Sequence, residues 1–538
     1  MIRISNLQLP LDHAEQDLTQ AILNKLSISK EALIGFTVHR RGYDARKKSH
    51  IMLIYTLDVN TTQNEELLAA LEGDQLIKAS PDMSYKFVAK ADTHTETAPT
   101  KRPLVIGFGP CGLLTGLVLA QMGYKPIILE RGAAVRQRTK DTFGFWRQKV
   151  LNTESNVQFG EGGAGTFSDG KLYTQVKDPN HYSRKVLAEF VKAGAPEEIL
   201  FVSKPHIGTF RLVSMVEKMR AQIIELGGEI RFDTRVDDVH ISDGQIHGVT
   251  LAGGEVIYAD HVAIAIGHSA RDTFKMLFDK QVYIEAKPFS VGFRIEHPQS
   301  AIDQARFGKN AGNEILGAAD YKLVHHCANG RSVYSFCMCP GGTVVAAASE
   351  PNQVVTNGMS QYSRAERNAN SAIVVGIDPS DYPGDALAGI ELQRQLERQA
   401  YKLGGETYDA PAQRVGDFMQ GKSSKQLGKV EPSYKPGIKL TDLADALPDF
   451  CIEAIREAIP AFNRKIKGFA SPDALLTGVE TRTSAPICIK RGHNMQSVNT
   501  KGLFPAGEGA GYAGGIMSAA IDGIKIAEAM ALSMNQTD

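Results

Sequence analysis

The sequence contains little tryptophan, little cysteine and no excess of charge of either sign. It holds one Trp and six Cys in 538 residues, and no two cysteines form a CxxC pair. This pattern excludes a disulfide framework, gives no metal-binding motif and favours a reducing, cytoplasmic compartment. Sixty Lys and Arg balance sixty Asp and Glu, so no global field favours nucleic acid or an anionic membrane as a partner.

Sequence signals for export or membrane insertion are also absent. The first twelve residues lack the basic and then apolar pattern of a signal peptide. Residues 103–124 carry no charge and are long enough to cross a bilayer. However, Gly107, Gly109, Pro110 and Gly112 interrupt this segment near its start, which is typical of a strand, a tight turn and a buried helix. We therefore expect no membrane span.

Length and composition indicate a globular protein of several domains. Hydrophobic residues make up 43% and charged residues 22%, and the length corresponds to about three or four domains. We predict an N-terminal α+β accessory domain over 1–90 and a linker over 91–102. A nucleotide-binding domain is assembled from 103–270 and 481–538, and an inserted α+β domain covers 271–480.

The first 90 residues predict a separate α+β domain. Alternating and helically spaced apolar residues indicate strands and helices in the order βαββαβ, which is the order of the ferredoxin-like fold. The predicted elements cover residues 2–9, 12–26, 34–41, 50–59, 64–72 and 83–88, in that order.

A glycine-rich turn opens the next domain. The apolar strand at 103–106 runs into Gly107-Phe-Gly109-Pro-Cys-Gly112, a helix follows, and the next strand ends at Glu130. A strand, a GxGxxG turn, a helix, a second strand and an acid together form the complete dinucleotide-binding pattern.

Each part of this pattern has a physical task. Gly107 allows the tight turn, Gly109 lets a pyrophosphate approach the backbone, and Gly112 lets the helix pack closely on the strand. The helix N-terminus supplies N–H donors and about half a positive charge to the phosphates. The carboxylate of Glu130 accepts the ribose hydroxyls and would repel a 2′-phosphate, which disfavours NADP at this site.

The C-terminal region favours FAD over NAD as the bound dinucleotide. A strand leads into Gly507-Glu508, and a glycine run through Gly514-Gly515 opens an apolar helix at Ile516. This order is typical of the second half of a flavin site. There the acid meets the ribityl or pyrophosphate part, and the helix N-terminus stabilises the negative charge of the reduced flavin.

Two smaller features agree with this assignment. Val236 lies where flavoproteins pass backbone beside the adenine, and Gly267 ends an apolar strand that returns the chain to the dinucleotide sheet. Together the observations predict an α/β fold. It comprises a Rossmann-type FAD-binding domain, an inserted α+β substrate domain and an N-terminal ferredoxin-like domain.

Several longer segments carry a family resemblance. They are residues 156–172, 267–272, 287–298, 335–342 and 480–484, together with 44–48 near the N-terminus. These segments resemble a family of bacterial FAD-dependent dehydrogenases, which bear names such as NAD(FAD)-utilizing dehydrogenase. The resemblance covers most of the chain and implies the fold and the cofactor, but it implies little about the substrate.

The glycine-rich segment 160–171 admits two interpretations. Its five glycines let backbone lie against a flat ring or a phosphate, or they form a surface Ω loop. We favour the flavin contact. The candidate cofactor-binding residues are then Gly107, Gly109, Pro110, Gly112, Glu130, Arg131, Gly162, Gly163, Gly165, Thr166, Ser168, Asp169, Lys171, Val236, Gly267, Gly507, Glu508, Gly514, Gly515 and Ile516.

Few residues are candidates for the substrate side. Because hydride transfer would occur at flavin N5, the protein has to orient the substrate and supply charge. Arg482 is the preferred candidate, since an arginine just before the last sheet strand could hold an anionic substrate. Arg294 and His297 are further candidates, and the histidine could act as an acid or base near neutral pH.

Two features remain open to a second interpretation. Cys337 and Cys339 would point to one face of a strand, either as a redox-active dithiol or as a packed, buried pair, and we favour the packed pair. Residues 40–48 hold five positive charges, which indicate either a nucleic-acid patch or a solvated turn that contacts the flavin domain.

The sequence therefore predicts a FAD-binding oxidoreductase that performs hydride transfer on an unidentified small-molecule substrate. Use of NADH or NADPH as a transient reductant stays open. The alternatives are a flavoprotein that modifies RNA through the basic N-terminal hairpin, and a non-catalytic flavin sensor or scaffold.

Overall fold

The computed structural model describes residues 1–91 and 102–535 of the chain. The predicted linker at 91–102 therefore lies almost wholly outside the described residues. The described chain forms a mixed α/β structure with an N-terminal antiparallel sheet, a central parallel sheet and a large C-terminal sheet. The predicted fold class is confirmed.

The N-terminal domain has the ferredoxin-like topology. Its elements are β1 (Ile2–Pro10), α1 (Glu15–Leu26), β2 (Leu33–Asp44), β3 (Met52–Thr61), α2 (Asn64–Ala70) and β4 (Ile77–Ala79). The strands form an antiparallel sheet in the order β2-β3-β1-β4. Apolar residues recur at every fourth position of α1, so that Leu18, Ile22 and Leu26 are buried in the core of this domain.

The last strand of this domain was predicted in the wrong place. It is β4, and residues 83–88 follow it without joining the sheet. The side chains of this segment contact the central domain instead. Tyr85 packs beside Tyr182 with ring centroids 6.2 Å apart, and its hydroxyl donates to Glu528 Oε1 at 2.9 Å.

The central domain begins with alternating strands and helices. Its elements are β5 (Leu104–Ile106), α3 (Pro110–Gln121), β6 (Ile127–Leu129), α4 (Val135–Gln148), α5 (Tyr182–Lys192), α6 (Thr209–Glu225), β7 (Glu229–Arg231), β8 (Val236–Ser242), β9 (Gln245–Leu251), β10 (Val256–Tyr258), β11 (Val262–Ile264) and α7 (Arg271–Asp279). Strands β8 to β10 form a separate antiparallel sheet.

The large sheet follows, and the chain then returns to the central domain. The remaining elements are β12 (Ile284–Ala286), β13 (Phe289–Pro298), α8 (Gln299–Phe307), β14 (Val324–His326), β15 (Ser332–Ala346), β16 (Thr356–Ser360), β17 (Asn368–Ile377), α9 (Ala388–Leu403), β18 (Ala410–Arg414), α10 (Val415–Met419), β19 (Ile438–Leu440), α11 (Asp449–Lys465), β20 (Leu475–Glu480), β21 (Ile487–Ile489), β22 (Leu503–Pro505) and α12 (Ile516–Met534). The large sheet has the order β14-β15-β17-β13-β20-β18-β19, with β16 paired to β15.

The parallel sheet has the order β22-β11-β5-β6-β7, which is a Rossmann-type arrangement. Its strands are short, and all except the half-buried edge strand β7 are buried on both faces, as is typical of parallel sheets covered by helices. Helix α3 is buried between this sheet and α12, which explains the charge-free segment without a membrane. Within residues 1–91 and 102–535, no helix is both long and apolar enough to cross a bilayer.

The N-terminal domain docks on both other parts of the molecule through β2. The Arg41 N–H donates to the Phe201 carbonyl at 2.6 Å, and the Ser203 N–H donates to the Arg41 carbonyl at 2.8 Å. The ring of Tyr43 packs edge-on against Phe307 at the end of α8. The basic hairpin is therefore partly an interdomain contact.

Candidate functional site

A cavity of about 730 Å³ lies between the carboxyl ends of the parallel strands and the large sheet. Its volume falls within the range of ~300–1,000 Å³ that is typical of ligand sites, and ligands of open α/β sheets bind at this edge. The turn after β5, the segment 163–175, the start of α12 and part of β15 all line the same cavity.

The first glycine turn has the geometry that its sequence predicts. Gly107 has a φ of +99°, and a Cβ there would lie 2.3 Å from the Ala265 carbonyl oxygen. A Cβ on Gly112 would lie 1.9 Å from the Gly107 carbonyl oxygen. Gly112 therefore supports close packing of α3 and does not line the cavity, whereas Gly109 and Pro110 do.

Glu130 joins the two glycine-rich segments at the end of β6. Its carboxylate is buried and accepts backbone N–H bonds from Phe108 at 2.8 Å, Gly132 at 2.9 Å and Gly160 at 2.9 Å. The carboxylate also lines the cavity. It is thus placed to accept ribose hydroxyls, and it organises the backbone around them.

The segment that follows is held by a side chain that the sequence did not reveal. The buried guanidinium of Arg138 on α4 donates to the carbonyls of Asn156 and Val157 at 2.8 Å and of Glu161 at 2.7 Å. Burial lowers the pKa of Arg138 to about 10, although Glu130 and Glu161 oppose the shift. Arg138 lies in a polar helix with no motif around it, so only the fold shows its role.

The end of this segment reaches the large sheet. The Asp169 carboxylate is buried and accepts a hydrogen bond from Arg364 Nε at 2.9 Å. Burial alone would raise the pKa of Asp169, but Arg364 outweighs it and holds that pKa below the usual value. The Lys171 ammonium donates to the Met338 carbonyl. Burial lowers the Lys171 pKa, but Cys339 and Asp169 outweigh it, so the lysine stays charged. Both side chains line the cavity.

A second helix N-terminus faces the cavity at the start of α12. Gly514, Gly515 and Ile516 line it, together with Glu508 after β22. Burial raises the pKa of Glu508 to about 8, and Lys287 offsets part of this shift. Gly507 lies behind this lining, where its N–H donates to the Asp522 carboxylate at 2.7 Å.

Arg482 also lines the cavity, but its guanidinium is already engaged. It donates to Glu397 Oε2 at 3.0 Å and to Ser349 Oγ at 2.6 Å. Glu397 also binds Arg271 at 2.7 Å. Burial opposes ionisation of Glu397, but the two arginines hold its pKa well below the usual range. An anionic substrate that approached Arg482 would therefore meet a guanidinium that already shares the Glu397 carboxylate with Arg271.

The structure does not bring Arg294 and His297 to the cavity. Arg294 is buried and donates to both carboxylate oxygens of Glu480 at 2.9 Å, and Glu480 does line the cavity. The His297 Nε2 is 2.7 Å from the Phe469 carbonyl oxygen, and burial lowers the histidine pKa to about 4. Both side chains lie on the central strand β13, so they support the site from behind.

The two neighbouring cysteines do not share one environment. Cys337 is exposed on the cavity wall, whereas Cys339 is buried. The strand alternation is broken here. The pairing of β15 with β17 is irregular on either side of Cys339, and Cys337 has a φ of +43°. Both cysteines nevertheless line the same cavity. Burial within the cavity raises the pKa of Cys337 to about 12, against the effect of Lys171.

The remaining candidates divide into lining and supporting residues. Those that line the cavity are Gly107, Gly109, Pro110, Glu130, Arg131, Gly163, Gly165, Ser168, Asp169, Lys171, Val236, Gly267, Glu508, Gly514, Gly515, Ile516 and Arg482. Those absent from its wall are Gly112, Gly162, Thr166, Gly507, Arg294 and His297. Arg40 and His268 line it without having been predicted. Burial, reinforced by Arg482 and Arg271, lowers the pKa of His268 to about 3.

One group of possible metal ligands occurs elsewhere, on the large sheet. Ligand atoms of His325, Cys327 and Glu457 lie within 4.8 Å of one another. His325 Nε2 is 2.9 Å from Glu457 Oε1, and Glu457 also accepts the Ala328 N–H. The Cys327 thiol donates to the Ala454 carbonyl at 3.5 Å, so all three side chains take part in contacts between the end of β14 and helix α11.

The class of the protein follows from this geometry together with a family match. Residues 288–483 match the model of a family described as FAD-dependent protein, C-terminal domain-like, and residues 1–60 match a domain of unknown function. The chain thus has an α/β fold of the dinucleotide-binding type, and its residues 288–483 are similar to the C-terminal domain of FAD-dependent proteins.

A full-length relative defines the family. An uncharacterized protein of Clostridium beijerinckii is 46% identical over 531 residues, which cover 98% of each chain. The chain belongs to the same family as this clostridial protein.

Solved flavoenzymes resemble the chain more distantly. A flavin-dependent brominase is 12% identical, with 81% of this chain and 80% of that one covered, at a TM-score of 0.38. An L-amino acid deaminase of Proteus myxofaciens is 10% identical, with 84% of this chain and 93% of that one covered, at a TM-score of 0.35. A glycine oxidase of Geobacillus kaustophilus is 9% identical, with 80% of this chain and 94% of that one covered, also at a TM-score of 0.35. Likenesses of this degree carry no argument about the reaction.

Proposed function

We propose that the protein is a FAD-dependent oxidoreductase that transfers a hydride between flavin N5 and a small-molecule substrate. The observation that carries the proposal is one continuous cavity. Its wall includes two helix N-termini and Glu130, which we call the cofactor end after their proposed role, and also Lys171, Cys337 and Arg482, which we call the substrate end. A dinucleotide and a second molecule can therefore meet inside it.

The residues at the cofactor end fit FAD. A Cβ on Gly163 would lie 2.8 Å from the Gly109 Cα, so the two glycine segments form a close-packed backbone cradle. A Cβ at Gly514 or Gly515 would meet open space, which leaves room beside the start of α12. FAD, when bound, supplies hydride transfer at its N5 atom.

The chain's own groups then have defined tasks. The α3 N-terminus binds the pyrophosphate through its free N–H groups, and Glu130 accepts the ribose hydroxyls. The α12 N-terminus places partial positive charge beside the ring and stabilises negative charge there. His268 is neutral because of its lowered pKa, so it can orient a polar group but does not store a proton near neutral pH.

An anaerobic titration with NADH and then NADPH tests the proposal. We expect a yellow protein whose flavin absorbance bleaches with one of the two. Glu130→Gln should lose FAD more readily on dilution, whereas Glu255→Gln, which changes an exposed acid of the same domain, should retain it. A protein that neither contains FAD nor takes it up would disprove the proposal.

A flavin that neither NADH nor NADPH reduces would change the proposed electron donor. In that case the protein would be a dehydrogenase or oxidase reduced by its own substrate, or it would be the non-catalytic sensor that the sequence leaves open. Addition of candidate organic donors under the same anaerobic conditions separates these two.

A further inference from the structure

The outer end of the cavity is lined by cations from three separate parts of the chain. Arg40 comes from β2 of the N-terminal domain, Lys204 from the segment before α6, and Lys322 from the segment before β14. All three are exposed. They therefore stand where the cavity meets the solvent.

The acids on the cavity wall neutralise only one of these three cations, Lys204. Asp320 is paired with Lys204 at 2.7 Å, Asp169 with Arg364, and Glu480 with Arg294. Lys322 donates to the neutral Gln175 at 3.3 Å. Within residues 1–91 and 102–535, neither Arg40 nor Lys322 forms an ion pair. The entrance thus keeps uncompensated positive charge.

Arg40 is held in place and does not lie on a free hairpin. Its neighbour Arg41 is bridged by two backbone hydrogen bonds to the segment around Val202. On the other side, His39 is contacted by Arg184 Nη2 at 2.8 Å. The backbone of the N-terminal domain is therefore held in place around Arg40, whose side chain lines the same cavity as Lys204.

We infer that the cavity takes an anionic small-molecule substrate, and that the N-terminal domain forms part of its entrance through Arg40. The inference rests on the proposed function in taking this cavity as the place of the flavin reaction. A cleft with charge of one sign and walls of low dielectric constant focuses its field and concentrates ions of opposite sign. Lys171 extends the positive path inward to Cys337 and Met338.

Cys337 provides a reporter for this field, because its side chain lies exposed on the cavity wall. The FAD-loaded protein is labelled with the anionic sulfonatoethyl and the cationic trimethylammonioethyl methanethiosulfonate, and intact mass follows the rates. Each rate is divided by the rate of the same reagent with a small free thiol, which removes the difference in intrinsic reactivity. The variant Cys337→Ser shows which part of the added mass is on Cys337. We expect the anionic reagent to be favoured about tenfold at low salt. The preference should vanish at 1 M salt, where the Debye length is about 3 Å.

Charge reversal at the entrance gives the decisive comparison. Arg40→Glu and Lys322→Glu should each lower the anionic preference several-fold. Arg46→Glu reverses an exposed charge on the same hairpin that does not line the cavity, and it should leave the preference unchanged. Equal rates for both reagents, or equal effects of all three variants, would overturn the inference. Because the raised pKa of Cys337 slows both reagents alike, labelling is followed at about pH 9, and the ratio of the two rates carries the result.

The labelling is independent of flavin reduction. A preference for anions in a protein that no nucleotide reduces would support the inference while the proposed reaction fails. A protein that NADH reduces, but whose Cys337 shows no preference for the anionic reagent, would support the proposed reaction and overturn the inference.

Discussion

The two ends of the cavity are built from different kinds of contact. At the cofactor end, backbone groups of glycine turns and helix termini face the cavity, and one buried carboxylate, Glu130, joins them through three N–H bonds. At the substrate end, side-chain charges from distant parts of the chain hold one another. Arg271, Glu397 and Arg482 are the clearest case.

This difference predicts two kinds of failure. A change at the cofactor end should alter the shape of a turn and therefore the retention of FAD. A change at the substrate end should leave a buried charge without a partner and therefore lower the stability of the fold. The following variants test this contrast.

The largest effect is expected for Glu397→Ala. It leaves Arg271 and Arg482 buried without the carboxylate they share, which should destabilise the protein by about 3–5 kcal/mol. Denaturation by urea, followed by circular dichroism, measures the change. Glu391→Ala on the same helix removes an exposed acid and should shift the midpoint little. A midpoint unchanged in Glu397→Ala would contradict the view that charges hold this end.

Gly107→Ala should act mainly on the cofactor. At a φ of +99° and with a Cβ 2.3 Å from the Ala265 carbonyl oxygen, the turn has to move, at a cost of about 1–3 kcal/mol. We expect FAD affinity to fall at least tenfold, measured by flavin fluorescence after dilution. Gly253→Ala is the control, because its Cβ would meet nothing within 4 Å. If Gly107→Ala lost stability but kept FAD, the contrast between the ends would fail.

The last effect, expected for Glu508→Gln, is conditional on pH and vanishes in acid. Because burial raises the pKa of Glu508 to about 8, the folded FAD-free protein favours the protonated acid. The contribution of Glu508 to stability is therefore full below its unfolded pKa and is lost as pH rises through about 8.

Melting temperatures of the FAD-free protein between pH 5 and pH 9 measure this effect. Glutamine stays neutral, so Glu508→Gln should melt higher than the wild type at pH 9 and alike at pH 5. Glu255→Gln should follow the wild-type curve. Parallel curves for Glu508→Gln and the wild type would show that Glu508 is not desolvated in the folded protein.

The cofactor end was predictable because its parts are contiguous in sequence. A strand, a GxGxxG turn and an acid lie within thirty residues, and each glycine has a local steric reason. Gly112 packs the helix on the strand as predicted, whereas Gly162 and Gly507 were predicted to contact the cofactor and do not line the cavity.

The substrate end could not be predicted in this way. Alternation along β13 does not say which partner strands will bury Arg294 and His297 on both faces. The backbone irregularity that turns Cys337 into the cavity has no sequence signature. The role of Arg40 depends on how a separate domain docks, and the role of Arg138 depends on carbonyl groups eighteen to twenty-three residues further along the chain.

Because β22 comes late in the sequence but pairs with β11 in the parallel sheet, the domains are completed in a fixed order during translation. The N-terminal domain is complete at residue 79 and can fold while the rest of the chain is still being translated. The central sheet gains its edge strand, and α3 gains its cover from α12, only after residues 503–534 have left the ribosome. The large insertion is made before the flavin cradle closes. If FAD binds in this cavity as proposed, its retention would report that α12 is packed against α3.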